Sequence, residues 1–197
     1  TGTLADGDRW VDEVPVRPLH ALRESLNEVL SIGCVIHQTL DVVVRFAGDS
    51  GDGMQLTGSN FTQATALYGN DLSTLPDFPA EIRAPVGATF GVSAFQIYFG
   101  AEDVTTSGDD VDVLVAMNPA ALITNLSKLV KGGLIIVDSG AFTQKNLTKA
   151  NYASNPLEDD SLDGYRVLSI DIHKQVLAAV EPFGLSHKDA LRCKNMW

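Results

Sequence analysis

The chain has few cysteines. Of its 197 residues only Cys34 and Cys193 are cysteines, and they lie far apart in the sequence, in no CxxC pair. Two such cysteines cannot hold an iron–sulfur cluster or a structural zinc ion by themselves. We therefore expect no metal site in this chain, and a reducing cytoplasm is its simplest location.

Positive charge and long apolar runs are also scarce. The chain has 14 Lys and Arg against 25 Asp and Glu, a net charge of −11. This balance argues against nucleic acid or an anionic membrane surface as the main partner. No apolar run comes near the ~20 residues that a membrane-spanning helix needs. The length and the ordinary apolar fraction are typical of a globular protein with a sizeable core.

Apolar runs alternate with helical patterns along most of the chain. Residues 42–47 and 92–99 read as strands, and "VDVLVAM", "AALITNLSKLV" and "LIIVD" predict a strand–helix–strand crossover. In this unit Asn118-Pro119 should cap the helix, and Gly132 and Gly133 should end it. A crossover of this length implies parallel neighbouring strands.

"YRVLSID" and "HKQVLAAVEPF" predict one more strand and helix, whereas residues 70–91 read as an irregular segment. We therefore predict an α/β fold with a mostly parallel sheet and flanking helices: three layers, Rossmann-like. Its ligand side should be the carboxyl edge of the strands.

The stretch "VVVRFAGDSGDGMQLTG" predicts a strand, a glycine loop at Gly48–Gly53 and a helix. This loop has neither the glycine spacing of a dinucleotide fingerprint nor the Lys and Ser/Thr of a Walker A motif. Asp49 and Asp52 would repel a phosphate unless arginines such as Arg45 and Arg83 neutralised them. The loop is interpreted either as a tight turn chosen for backbone conformation or as a surface facing a ligand or subunit.

Five segments carry a family resemblance: "RFAGDSGDGMQLTG", "PDFPAEIRAP", "GVSAFQIYF", "DVLVAMNPAAL" and "GGLIIVDSG". In this order they resemble the gamma domain of 2-oxoacid:ferredoxin oxidoreductases. The similarity is greatest to the version fused at the N-terminus of the alpha subunit in 2-oxoglutarate:ferredoxin oxidoreductases. It runs from about Asp41 to Trp197, and the loop acids Asp49 and Asp52 depart from the common GxGGxG form.

The resemblance implies oxidative decarboxylation of a 2-oxoacid to an acyl-coenzyme A, with ferredoxin reduced. Thiamine diphosphate, magnesium and [4Fe–4S] clusters are then expected on other segments of the complex. The partners would be the thiamine-binding remainder of the alpha subunit and a beta subunit. This chain would contribute to coenzyme A binding, active-site closure and assembly, and would be inactive alone.

The resemblance also suggests an organisation in three parts. We expect an N-terminal extension with an amphipathic helix at 1–40, a gamma-type domain at 41–185, and the start of a helix toward the thiamine-binding domains at 186–197. Ser186 and Asp189 have capping-box-like spacing at the start of that helix. A fragment of a longer subunit is favoured over a separate subunit.

The candidate contacts to coenzyme A or a partner lie at the carboxyl edge or beside it. No catalytic residue is expected, because His20, His37, His173 and His187 have no acid or nucleophile at catalytic spacing. The candidates are Gly48, Asp49, Ser50, Gly51, Asp52, Gly53, Arg83, Asn118, Ser139 and Gly140.

Each candidate also has a structural explanation. Arg83 could pair with Glu81 at the surface, Asn118 could serve only as a helix cap, and Ser139-Gly140 could be a plain turn. A free-standing nucleotide-binding module and a non-catalytic interaction domain remain alternative functions for the whole chain.

Overall fold

The computed structural model of the protein describes residues 41–78, 91–101 and 103–196. These residues belong to one compact unit, Leu40–Trp197. The predicted N-terminal helix and Arg83 lie outside the described residues, so their expected roles stay predictions.

The described residues contain six strands and five α-helices, numbered here in chain order. The strands are β1 Asp41–Asp49, β2 Asp71–Asp77, β3 Val92–Gly100, β4 Val111–Ala116, β5 Leu129–Asp138 and β6 Arg166–Ile170. The helices are α1 Met54–Leu67, α2 Pro119–Asn125, α3 Gln144–Lys149, α4 Ile172–Val180 and α5 His187–Arg192. Short 3-10 turns follow several of them, including Ser139–Ala141 after β5 and Cys193–Met196 at the end.

The strands form one sheet in the order β2-β3-β1-β4-β5-β6. β1, β4, β5 and β6 are parallel to one another, and β3 runs antiparallel to both β1 and β2. The prediction of an α/β fold with a mostly parallel sheet is therefore confirmed. After β1 the chain builds β2 and β3 on one side and then crosses to β4 on the other. The topological switch point, where ligands of open α/β sheets bind, lies between β1 and β4.

β1 is buried along most of its length because helices cover both faces of the sheet. On one face, Gly58 of α1 packs against the ring of Phe95, where an added Cβ atom would lie 2.2 Å from a ring carbon. On the same face Phe61 makes edge-to-face contacts with Phe46 and Phe99, with ring centroids 5.3 and 5.8 Å away. These contacts seat the start of α1 beside the end of β1.

Two sequence predictions of secondary structure were wrong. Residues 71–77 form β2, not an irregular segment. Among the described strands β2 pairs only with β3, at the edge of the sheet, and an edge strand tolerates a proline such as Pro76.

The second error concerns Gly132 and Gly133, which lie within β5 and do not end the helix. α2 ends earlier, at Asn125. The pairing of β5 with β4 is irregular between Val111 and Val113, and Gly132 has a φ of +80°, which favours glycine.

Candidate functional site

Asp49 and Asn118 meet at the switch point. The parallel pairing of Ala47 with Ala116 brings the ends of β1 and β4 level with each other. Asn118 donates from Nδ2 to Asp49 Oδ1 at 2.8 Å, and its Oδ1 accepts the Ala121 N–H at 2.8 Å. The predicted helix cap at Asn118 is confirmed, and the same side chain also holds Asp49.

The glycine loop begins later than predicted, because Gly48 and Asp49 still belong to β1. Asp52 N–H donates to the Asp49 carbonyl at 3.0 Å, which closes a tight turn, while Asp49 N–H donates to Asp52 Oδ2 at 3.1 Å. Gly51, the third residue of this turn, has a φ of +105°, as a type II turn requires. Ser50 is exposed at the tip.

A small pocket opens beside this turn. Its volume is about 50 Å³, room for a few water molecules or the end of a ligand but not for a whole coenzyme. Its polar walls can both donate and accept hydrogen bonds, since they combine a carboxyl, two amides and an ammonium group. The lining residues are Asp49, Asn118, Pro119, Ala120, Asn146 and Lys149.

The Asp49 carboxyl is perturbed by this setting. Partial desolvation in the pocket wall is the main cause that raises its pKa, and the Asp52 carboxylate adds to it. The Asn118 hydrogen bond and the charges of Lys194 and Lys149 act in the opposite direction. Asp49 as a residue is nevertheless exposed, so solvent screens these effects.

The turn Cys193–Met196, here called the C-terminal segment, lies against the glycine loop. Gly53, with a φ of +79°, approaches Asn195 so closely that an added Cβ atom would lie 2.3 Å from Asn195 Nδ2. Thr57 Oγ1 donates to the Asn195 carbonyl at 3.0 Å. Lys194 Nζ lies 3.2 Å from Asp52 Oδ1. Gly53 therefore permits close packing, and the part of the protein packed against it is the C-terminal segment.

Ser139 and Gly140 occupy the turn after β5, beside a pair that sequence spacing did not reveal. Asp138 is fully buried, its Oδ1 accepts the Ile172 N–H at 3.2 Å, and its Oδ2 lies 2.7 Å from His173 Nδ1. Asp138 Oδ2 and His173 Nδ1 are both buried, and neither forms a well-aligned hydrogen bond with any described residue, so the pair is joined by a close contact only. An added Cβ atom at Gly140 would lie 3.1 Å from His173 Nδ1, so glycine gives the pair its space.

Burial raises the pKa of Asp138, while the neighbouring His173 and then Lys194 lower it. His173 was expected to be an isolated histidine. It proves to have an acidic partner, supplied by the end of the adjacent strand, 35 residues earlier in the chain.

Arg45, a candidate from the sequence for neutralising the acids of the glycine loop, does not do so. It is buried in the middle of β1, where Nε donates to Asn125 Oδ1 at 2.7 Å and Nη1 to Gln96 Oε1 at 3.1 Å. Its Nη2 forms an ion pair with Asp77. All of these partners lie away from the loop, so Arg45 ties the central strands and α2 together.

The structure thus brings Asp49, the turn that follows it and Asn118 together, with Ser139 and Gly140 at the end of the next strand along the same edge. Sequence reasoning missed three further groups: Asn146 and Lys149 of the pocket, and Lys194. Asn146 and Lys149 come from α3, whose position depends on the turn after β5. The excess of acids in the glycine loop was the one sequence signal for a nearby cation such as Lys194.

The fold and site define a class: an open α/β domain with a polar pocket at the switch point of its sheet. Comparison with known proteins narrows this class. The sequence profile of the pyruvate ferredoxin/flavodoxin oxidoreductase family matches residues 43–197. The 2-oxoglutarate oxidoreductase subunit KorA of Mycobacterium tuberculosis (strain ATCC 25618 / H37Rv) is 56% identical over 157 residues. That alignment covers 80% of this chain and 24% of the relative, so the chain spans about a quarter of that protein's length.

Solved structures support the fold. A 2-oxoglutarate:ferredoxin oxidoreductase from Magnetococcus marinus, solved with 2-oxoglutarate, coenzyme A and succinyl-CoA bound, superimposes with a TM-score of 0.59 at 24% identity. The match covers 81% of this chain and 23% of that one. The chain belongs to the pyruvate ferredoxin/flavodoxin oxidoreductase family, and the predicted resemblance is confirmed.

The described residues contain neither a cluster of metal-ligating side chains nor a membrane-spanning helix. Within 41–78, 91–101 and 103–196, no three His, Cys, Asp or Glu side chains group as metal ligands would. In the same ranges no helix has both the length and the apolar character to cross a membrane.

Proposed function

We propose that this chain is the gamma-type domain of an oxidoreductase that converts a 2-oxoacid, most simply 2-oxoglutarate, and coenzyme A to an acyl-coenzyme A while reducing ferredoxin. The observation that carries the proposal is the 56% identity with the Mycobacterium tuberculosis subunit. Thiamine diphosphate, magnesium and [4Fe–4S] clusters would be held by the thiamine-binding part of the alpha subunit and by its partners. We place the complex in the cytoplasm.

The role of this domain would be to contact coenzyme A at the sheet edge. The pocket offers the Lys149 ammonium and the amides of Asn118 and Asn146, which suit the oxygen and amide groups of such a ligand. Its small volume fits only one end of the coenzyme, so other polypeptide segments would complete the site. Ser139, Gly140 and Arg83 are further proposed contacts.

The glycine loop is not proposed to clamp a phosphate. Asp49 and Asp52 add negative charge there, and the C-terminal segment already lies against Gly53. This arrangement favours an accessory domain over a nucleotide-binding module. The loop would serve close packing, as glycine positions with positive φ often do.

The first test separates the accessory domain from an independent enzyme. The 197-residue chain alone should show no turnover of 2-oxoglutarate with coenzyme A and ferredoxin, whereas its assembly with thiamine-binding subunits should restore ferredoxin reduction. Turnover by the isolated chain would overturn the proposal. Micromolar binding of NAD or ATP to it in a calorimetric titration would instead favour the nucleotide-binding alternative.

The second test concerns coenzyme A. In the assembled enzyme, Lys149→Met should raise the KM for coenzyme A by roughly tenfold, the effect of losing one charged hydrogen bond. Lys145→Met is the matched control, because Lys145 lies on the same helix, exposed and outside the pocket lining. Equal KM values for coenzyme A in the two variants would show that the pocket is not part of the coenzyme site.

A further inference from the structure

We propose that Lys194 is a positioning residue of this site: its ammonium group holds the C-terminal segment on the glycine loop and acts as a shared cation for the acids of the sheet edge. The inference rests on the proposed function only in treating this edge as the coenzyme side. The contacts themselves belong to the chain alone.

The ion pair with Asp52 is sheltered from water. The side chains of Lys194 and Asp52 are only 15% and 19% exposed, and their charged atoms lie 3.2 Å apart. Exposed ion pairs contribute little to stability because water and salt screen them, whereas a sheltered pair is screened less. Asp52 also accepts the Asp49 N–H, so the cation acts on the group that shapes the turn.

Neighbouring contacts bring the C-terminal segment to the glycine loop, and the Lys194–Asp52 ion pair adds to them. The Asn195 carbonyl accepts a hydrogen bond from Thr57 Oγ1, and the Asn195 side chain fills the space left open by Gly53. Ala190, one turn earlier in α5, is buried. The backbone of the C-terminal segment is therefore fixed against α1, and the ammonium group is directed to the acids.

The charge of Lys194 acts on three carboxylates. Asp49 and Asp138 lie at the ends of β1 and β5, and Asp52 lies in the turn after β1. Besides its contact with Asp52, Lys194 lowers the pKa of Asp49 and that of Asp138. Among the described residues, Lys149 of α3 also acts on Asp49, and His173 of α4 also acts on Asp138. Of the cations in the part of the chain that the structure describes, Lys194 is the one that acts on all three acids.

This arrangement explains how an acidic edge can accept an anionic ligand. Without Lys194, the Asp49 carboxylate in the pocket wall would keep Lys149 as a neighbouring cation, and the Asp52 carboxylate in the adjoining turn would lose its ion pair. With it, the ionised acids are partly neutralised and held in a defined turn. Lys194 would thus prepare the edge for a coenzyme without touching it.

The test needs no coenzyme, so its outcome is independent of the proposed function. The pKa of the Asp49 carboxyl is measured by carbon-13 NMR in the 197-residue chain, with the Asp49→Asn variant to assign the signal. Lys194→Met should raise this pKa, because a nearby positive charge favours the ionised form. Lys194→Arg should restore it. Lys188→Met, at an exposed position of α5, should leave it unchanged.

A second measurement follows the turn itself. Exchange of the Asp52 amide, which is bonded to the Asp49 carbonyl, should accelerate by roughly tenfold in Lys194→Met, the change expected when a charged hydrogen bond is lost. Should the Met variant not fold, Lys194→Gln removes the charge but keeps a donor for Asp52. An Asp49 titration that coincides with wild type in the charge-removing variant, or shifts equally in Lys188→Met, would overturn the inference.

Discussion

β1 carries two polar centres four residues apart, and they differ in how completely the protein satisfies them. Arg45 is buried and surrounded by fixed acceptors on β2, β3 and α2. Asp49 lies at the exposed end of the strand, its pKa raised by desolvation and by a neighbouring acid. The first centre has the character of a structural network, and the second has the perturbed, accessible groups typical of functional sites.

The largest effect is expected at the buried centre. Arg45→Met should lower the free energy of unfolding by about 3 kcal/mol, because Asn125 and Gln96 would keep buried acceptors without a donor. Urea unfolding measures this change. Arg166→Met is the control, since Arg166 is exposed on edge strand β6. A loss at Arg45 no larger than at Arg166 would refute the structural role.

A smaller loss of stability is expected at Asn118, which caps α2 and contacts Asp49. Asn118→Ala removes both the cap of α2 and the hydrogen bond to Asp49, and should cost about 1–2 kcal/mol in thermal or urea unfolding. The comparison is Thr143→Ala, which removes the weaker cap of α3 alone. If both variants lose the same stability, the Asp49 contact contributes nothing.

The glycine loop offers a test of close approach. Gly53→Ala should destabilise by about 1 kcal/mol more than Gly69→Ala, because both have a positive φ but only Gly53 faces Asn195. The displaced C-terminal segment should also expose Cys193, which is half-buried, to alkylation. Peptide mass spectrometry distinguishes it from Cys34. Equal destabilisation by the two substitutions would show that the C-terminal segment moves away from Gly53 at no cost in stability.

The smallest effect is a pH dependence at Asp49. Since the folded-state pKa is raised above the ordinary value of 3.8, the contribution of Asp49 to stability is fully present below that pH and is lost as pH rises through the raised pKa. Asp49→Asn should remove this part of the pH profile of unfolding. Asp163→Asn, on an exposed loop, should leave the profile as in wild type. If the pH profiles of unfolding for wild type and Asp49→Asn coincide, this prediction is wrong.

Local patterns were enough to predict the parallel core and the cap at Asn118, because strand hydrophobicity and the Asn-Pro signal act over a few residues. They could not predict β2, whose Pro and Asp content is unusual for a strand and whose pairing depends on β3. The Asp138–His173 and Asp52–Lys194 pairs join residues far apart in sequence, so only the folded topology brings them together. The acids of the glycine loop indicated an interaction but not its partner.

Asn118 uses one amide group for two tasks, and this has a mechanical consequence. Its oxygen anchors the first turn of α2 while its nitrogen anchors the last residue of β1. If α2 slid along its axis, either the helix would lose its cap or the strand end would be dragged with it. A displacement of α2 by a bound molecule would therefore be transmitted through the Asn118 side chain to the glycine loop.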